Sequence, residues 1–211
     1  MTHAEKIEAA GVRHSDFVID SSFVIRHSSF SSRAFTLIEL VVVFGLIIVL
    51  TGLVLSTVGY ARKKGARARA ETEIAAMAAA CENYKADNGI YPRGANSDAL
   101  DAQASGDPSQ YQNASLELYN ALFGATGGSR TPTGKSYFVF KPNMLSPDDQ
   151  NLSVQYIRDP FGNSYGYSTI QAAQGTSNVG HNPTFDLWST AGVTSAGQPT
   201  QVDQNQWIKN W

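Results

Sequence analysis

The chain has 211 residues, 16 Lys and Arg against 18 Asp and Glu, a net charge of minus two, and one cysteine. That length allows one modest domain plus a membrane segment. The near-neutral balance gives no electrostatic case for nucleic acid as a partner, and a lone Cys81 excludes an intramolecular disulfide.

Residues 1–34 are polar and serine-rich, with Phe17-Val18-Ile19 echoed by Phe23-Val24-Ile25. Neither apolar triplet is long enough to cross a bilayer. This stretch reads as a leader, expected to be disordered and absent from the mature protein. It holds four basic and four acidic side chains, so its removal leaves the net charge unchanged.

Residues 40–61 carry no charge. A helix of 22 residues at about 1.5 Å rise is about 33 Å long, enough for the hydrocarbon core of a bilayer. A transmembrane helix over 35–61 is the direct reading. It leaves Glu39 unexplained, since an ionisable group at the edge of lipid is costly and needs a partner. Arg62, Lys63, Lys64, Arg67 and Arg69 follow the span closely. Counting Lys and Arg alone would place that side in the cytoplasm.

The run Arg33-Ala34-Phe35-Thr36-Leu37-Ile38-Glu39 resembles the processing motif of type IV pilins and type II secretion pseudopilins. The resemblance implies that a prepilin peptidase cuts between Ala34 and Phe35 and methylates the new amino terminus. Glu39 is then the fifth mature residue and serves assembly by pairing with the amine of a neighbouring copy. The family usually has Gly before the cut; Ala34 is also small, so cleavage is expected to be unchanged or slower. Because that peptidase works at the cytoplasmic face, the resemblance places the C-terminal part in the periplasm, against the simple charge count.

Beyond the span, Ile74, Met77, Ala78, Cys81 and Tyr84 recur at three- and four-residue spacing, the apolar stripe of an amphipathic helix over 62–88. Cys81 reads as a small core residue. Asn88-Gly89 supplies the stop and Pro92 follows it. Gly45, Gly52 and Gly59, seven apart, suit helix packing among many copies, with Thr51-Gly52 the weak point of the helix. The basic run 62–69 reads as a headgroup-level edge able to pair with Glu71 and Glu73; no aromatic residue interleaves it, as a nucleic-acid groove would require.

The remainder, 89–211, reads as a globular domain: a surface loop over 93–115 rich in Ala, Ser, Asp, Gln and Gly, a short helix over 115–123, and strands over 137–140, 154–157, 165–168 and 185–189. Gly128 to Ser136 only superficially suggests a phosphate-binding loop. The first Gly would have to stand at Ser129, and a strand pattern follows where a helix is needed. Asp159-Pro160-Phe161-Gly162-Asn163 is a hairpin-type turn. Followed by its Tyr-rich strand, and with Asp87-Asn88-Gly89-Ile90-Tyr91-Pro92 leaving the helix, it resembles the major pseudopilin of type II secretion systems. That family implies an α+β, type IV pilin-like fold, with one long N-terminal helix packed on a small antiparallel sheet.

The C-terminal stretch resembles the family's calcium loop in part. The resemblance offers Asp186, Ser189 and Asp203 as metal ligands, but Val193 stands near the place of an expected second acid. Calcium needs six to eight oxygen ligands. The alternative is a loop held by hydrogen bonds and by packing of Trp188, Trp207 and Trp211.

After the expected cleavage only His181 remains among histidines, in a turn context, and Asp148-Asp149 reads as a solvated turn. No catalytic constellation is recognised, and the chain is expected not to be an enzyme. The resemblance implies a pseudopilus subunit in the bacterial inner membrane. Its implied partners are further copies of itself, the prepilin peptidase, an inner-membrane assembly platform, minor pseudopilins and membrane lipid. Alternatives are a type IV pilus subunit, or a membrane-tethered module binding a ligand through exposed Tyr and Trp.

Overall fold

A computed structural model describes residues 35–195 and 197–211. The leader expected over 1–34, with Ala34 at its end, lies outside the described residues. Among the described residues the architecture is α+β, with one long N-terminal helix and two small antiparallel sheets. The chain divides into two compact units, Met1–Ile48 and Val49–Trp211.

Helix α1 runs over Leu37–Asn88, 52 residues against the 54 expected, and is continuous through Thr51 and Gly52. It ends at Gly89, whose φ of +79° is the left-handed conformation that stops a helix where only Gly is unstrained. In the first unit, residues 35–48 are all exposed. The stretch of α1 that meets the length and composition of a membrane span is likewise unburied.

In the second unit the stripe read from the sequence is the buried one. Ile74, Met77 and Cys81 are in the core, and Ala78 and Tyr84 pack partly against it. Burial also pushes the Cys81 thiol well up, consistent with an inert core residue. Helix α2, Gln112–Phe123, lays Leu118, Tyr119 and Leu122 into the same core and ends at Gly124 with φ of 74°. Strands β1 (Leu145–Ser146) and β2 (Tyr156–Ile157) form a two-stranded antiparallel sheet.

The three-stranded sheet has β3 (Gly166–Ser168) beside β4 (Asp186–Ser189), with the short helix α3 (Ile170–Gln174) between them in sequence. After helix α4 (Gln201–Gln206), strand β5 (Ile208–Lys209) adds to the other edge of β4. All four residues of β4 are buried, so both faces of the sheet are covered. Tyr165, Tyr167, Leu187 and Ile208 join the core with α1 and α2. Trp188 belongs to a second cluster with Ala102, Tyr111 and Trp207. The alternation of a strand explains the division: neighbours in sequence face opposite sides.

Gly166 pairs with Trp188 in register, and a Cβ there would collide with the Trp188 indole. Glycine is required at that point because the ring lies directly over the strand.

Three expectations are corrected. Residues 137–140 are not a strand. The amides of Tyr137 and Phe138 both donate to the Leu122 carbonyl, at 2.7 and 3.0 Å, so this backbone serves one of the orphan carbonyls at the end of α2 instead of a ladder. Residues 93–115 are not simply a surface loop. Ser97, Ala102 and Tyr111 are fully buried, because this segment covers the second face of the sheet. It is fastened by Glu117, whose carboxylate accepts from the Asn96 and Ser97 amides at 3.0 and 2.8 Å, and by the Thr169 amide donating to Ser97 O at 2.8 Å. The C-terminal stretch, finally, folds as α4 and β5.

Candidate functional site

The head of α1 is closed by two side chains three positions apart in the Phe-Thr-Leu-Ile-Glu run. The Glu39 amide donates to Thr36 Oγ1 at 3.2 Å. In return Glu39 Oε2 accepts from the Thr36 amide at 3.1 Å and from its hydroxyl at 3.0 Å. This reciprocal capping box satisfies two of the orphan donors of a helix N-terminus and favours a carboxylate where the helix dipole is positive. The Thr-x-x-Glu signal was present in the sequence, and the sequence reading missed it. Glu39 is exposed, as are Phe35 and every described apolar side chain from Leu37 to Leu55. Within the chain the carboxylate therefore has a capping role, and the surface around it is available to another molecule. Gly45, Gly52 and Gly59 have open space around them.

The three candidate calcium ligands each have hydrogen-bond partners of their own within the chain. Asp186 accepts the His181 and Asn182 amides at 2.7 and 2.8 Å, one on each carboxylate oxygen. Burial pushes its carboxyl up to about 6, against the downward pull of those amides. Ser189 donates its hydroxyl to Asp159 at 2.5 Å and receives the Ala191 amide at 3.1 Å. Asp203 closes a second capping box, accepting from the Thr200 amide and hydroxyl at 2.9 and 2.7 Å, which hold its carboxyl below the usual range. At Val193, near the place of the expected second acid, the amide donates to Thr190 O at 2.9 Å in a turn. Among the described residues no group of three His, Cys, Asp or Glu side chains could hold a metal ion. Each of these carboxylates already serves backbone amides, which a calcium ion would have to share or displace.

What holds the C-terminal segment is the tryptophan cluster. Trp188 stacks on Trp207 with centroids 6.3 Å apart and meets Trp211 edge-on at 5.9 Å. His181 stacks on Trp211 at 4.3 Å. Trp188 and Trp207 are buried, so neither is the exposed aromatic that a ligand-binding module would use.

A buried polar cluster escaped the sequence reading because its members are far apart in the chain. Tyr165 donates to Glu73 Oε2 at 2.8 Å, and Arg69 Nε donates to Glu73 Oε1 at 2.6 Å. Asp159 folds the 159–163 turn by accepting the Phe161 and Asn163 amides at 2.9 and 2.8 Å while holding Ser189. Burial raises its carboxyl, with the Glu73 charge adding to the effect. The arrangement fixes the turn. Asp148 pairs with Arg158, and Asp149 accepts the Asn151 amide.

Comparison with protein-family models, with curated proteins and with solved structures finds no match for this chain.

Proposed function

We propose that this chain is a structural subunit of a type IV pilin-like filament, and specifically the major pseudopilin of a type II secretion pseudopilus. The observation that carries the reading is the Phe35-to-Glu39 run, seated as a capping box on a helix that stays exposed and apolar for more than five turns and buries its later part in a globular unit. A single copy leaves that apolar face exposed. A bilayer covers it in the stored state, and neighbouring helices cover it in a filament.

In this proposal the prepilin peptidase removes residues 1–34 between Ala34 and Phe35 and methylates the new amine. The amine of one copy pairs with Glu39 of its neighbour, where low dielectric makes an unpaired charge costly and a matched pair decisive for register. The assembly platform lifts subunits out of the inner membrane, minor pseudopilins start the polymer, and the periplasmic domains form its outer layer. The growing polymer drives folded proteins across the outer membrane. The role is mechanical rather than catalytic.

The capping box sharpens the test. Glu39→Gln keeps an N3 side chain able to complete the box but has no charge, whereas Glu39→Ala loses both. The proposal expects both variants to insert in the membrane and neither to polymerise, with cross-linked ladders and exported cargo as readouts. Polymerisation of Glu39→Gln at the level of the parent would refute the charge-pairing role.

A further inference from the structure

The exposed apolar stretch of α1 ends at Tyr60 and Ala61, and Arg62, Lys63 and Lys64 come next. All three are exposed, and none has an acidic partner among the described residues. Arg67 and Arg69, by contrast, pair with Glu71 and Glu73 one turn on.

Lys63 and Arg67 are four residues apart and so lie on one face of the helix. They line a cleft of about 170 Å3 with Phe161, Ala191, Val193 and Gln206. No acidic side chain lines it. Arg67 is held in place by the end of α4: its guanidinium donates to Gln206 O at 2.8 Å and to Trp207 O at 3.4 Å. Those carbonyls orient the cation without neutralising it, and Glu71 stands 3.4 Å from its Nε. The cleft thus combines one free ammonium, one positioned guanidinium and an apolar floor. It lies within about one helical turn of Tyr60, the last large apolar residue of the exposed stretch.

We propose that this cleft seats the phosphate of an anionic phospholipid from the bilayer that α1 enters. Lys63 and Arg67 donate to the phosphate oxygens, and Phe161 and Val193 pack against the glycerol and first acyl carbons. The proposal rests on reading the apolar stretch of α1 as a membrane span. A lipid fits better than a free anion because the floor is apolar and is placed at the end of an apolar helix segment. It also accounts for cations that the positive-inside bias would put on the other face of the membrane. Here they have a partner in the headgroups of the leaflet beside which the domain stands.

The full chain in mild detergent would be equilibrated with equal amounts of phosphatidylglycerol and phosphatidylcholine, and the retained lipids counted by native mass spectrometry. A cation near an anionic surface contributes a factor of about 5, so the parent should retain phosphatidylglycerol about 5-fold or more over phosphatidylcholine. Lys63→Gln should bring the ratio close to parity. Val193→Asp, which keeps every cation and adds a carboxylate to the cleft, should do the same while melting like the parent. Lys64→Gln, on another face of the helix, should retain the preference. No preference in the parent, or a preference unmoved by Lys63→Gln or Val193→Asp, would overturn the site. So would equal loss in Lys64→Gln, which would mean unspecific surface charge, or displacement of the lipid by millimolar inorganic phosphate, which would mean a soluble anion. Alkaline extraction of membranes tests the span separately. A chain that stays in the pellet without lipid preference refutes only the cleft; a chain that is released refutes the span as well.

Discussion

Replacing Tyr165 with Phe isolates one bond between α1 and the turn into β3. Tyr165 is fully buried and its hydroxyl donates at 2.8 Å to Glu73, whose residue is 9% exposed. Removing a hydrogen bond to a charged group costs about 1.5–3 kcal/mol. Arg69 still donates to the other oxygen at 2.6 Å and is itself 40% exposed, so the carboxylate keeps one partner near water. The lower part of the range applies, about 1.5–2 kcal/mol. For a domain of this size each kcal/mol shifts the melting temperature by about 2–4 °C, giving a fall of about 3–8 °C. The assay is thermal and urea unfolding of the full chain in detergent for Tyr165→Phe, Glu73→Gln and the double variant. Glu73→Gln keeps an acceptor but removes the charge, so Phe at 165 should cost less in that background, with a coupling of about 0.5–1 kcal/mol. Single variants within about 0.3 kcal/mol of the parent and an additive double variant would refute the bond as a fastening.

Gly166→Ala places a methyl group against the Trp188 ring and should lower stability by about 1–3 kcal/mol, read from the urea midpoint; an unchanged midpoint would show that the indole moves freely. Trp207→Ala removes the partner stacked on Trp188 and should cost about 3–5 kcal/mol, with loss of the near-ultraviolet circular dichroism of the cluster. Asp186 titrates from 3.8 when unfolded to about 6 when folded, so the native state binds its proton more readily. Its contribution is complete below the unfolded value and is lost as pH rises through about 6, a loss of at most about 3 kcal/mol. Asp186→Asn should flatten that decline in pH-dependent urea unfolding; an identical slope would refute the assignment. Calcium, compared with a chelator, should leave the melting temperature unchanged, since Asp186 and Asp203 already serve backbone amides; a calcium-dependent rise abolished by Asp186→Ala would show that those amides give way.

The features legible in the sequence are those governed by neighbours along the chain. Composition alone marks 40–61 as long and apolar enough to span a bilayer. The three-and-four spacing of Ile74, Met77 and Cys81 identifies the buried face of α1, and Asn88-Gly89 its end, because helix periodicity and the left-handed stop are local properties. The turn at 159–163 and most of α2 are legible for the same reason. The capping boxes at Thr36 with Glu39 and Thr200 with Asp203 were equally local signals that the reading passed over.

What the tertiary structure decided is which partner each exposed backbone edge and each isolated polar group finds. The pattern Tyr137-Phe-Val-Phe140 is as strand-like as that of β4, yet its amides meet the end of α2 and not another strand. The polar composition of 93–115 looks solvated until both faces of β4 need covering, and then Ala102 and Tyr111 are drawn inside. Asp186, Ser189 and Asp203 share a stretch of sequence, but strand alternation and the start of α4 send them to different partners. Glu73 and Tyr165, 92 positions apart, meet only because packing of the sheet on α1 removes water from both. Periodicity is written residue by residue; pairing between distant segments depends on which contacts together exclude the most apolar surface from water, and no single segment carries that sum.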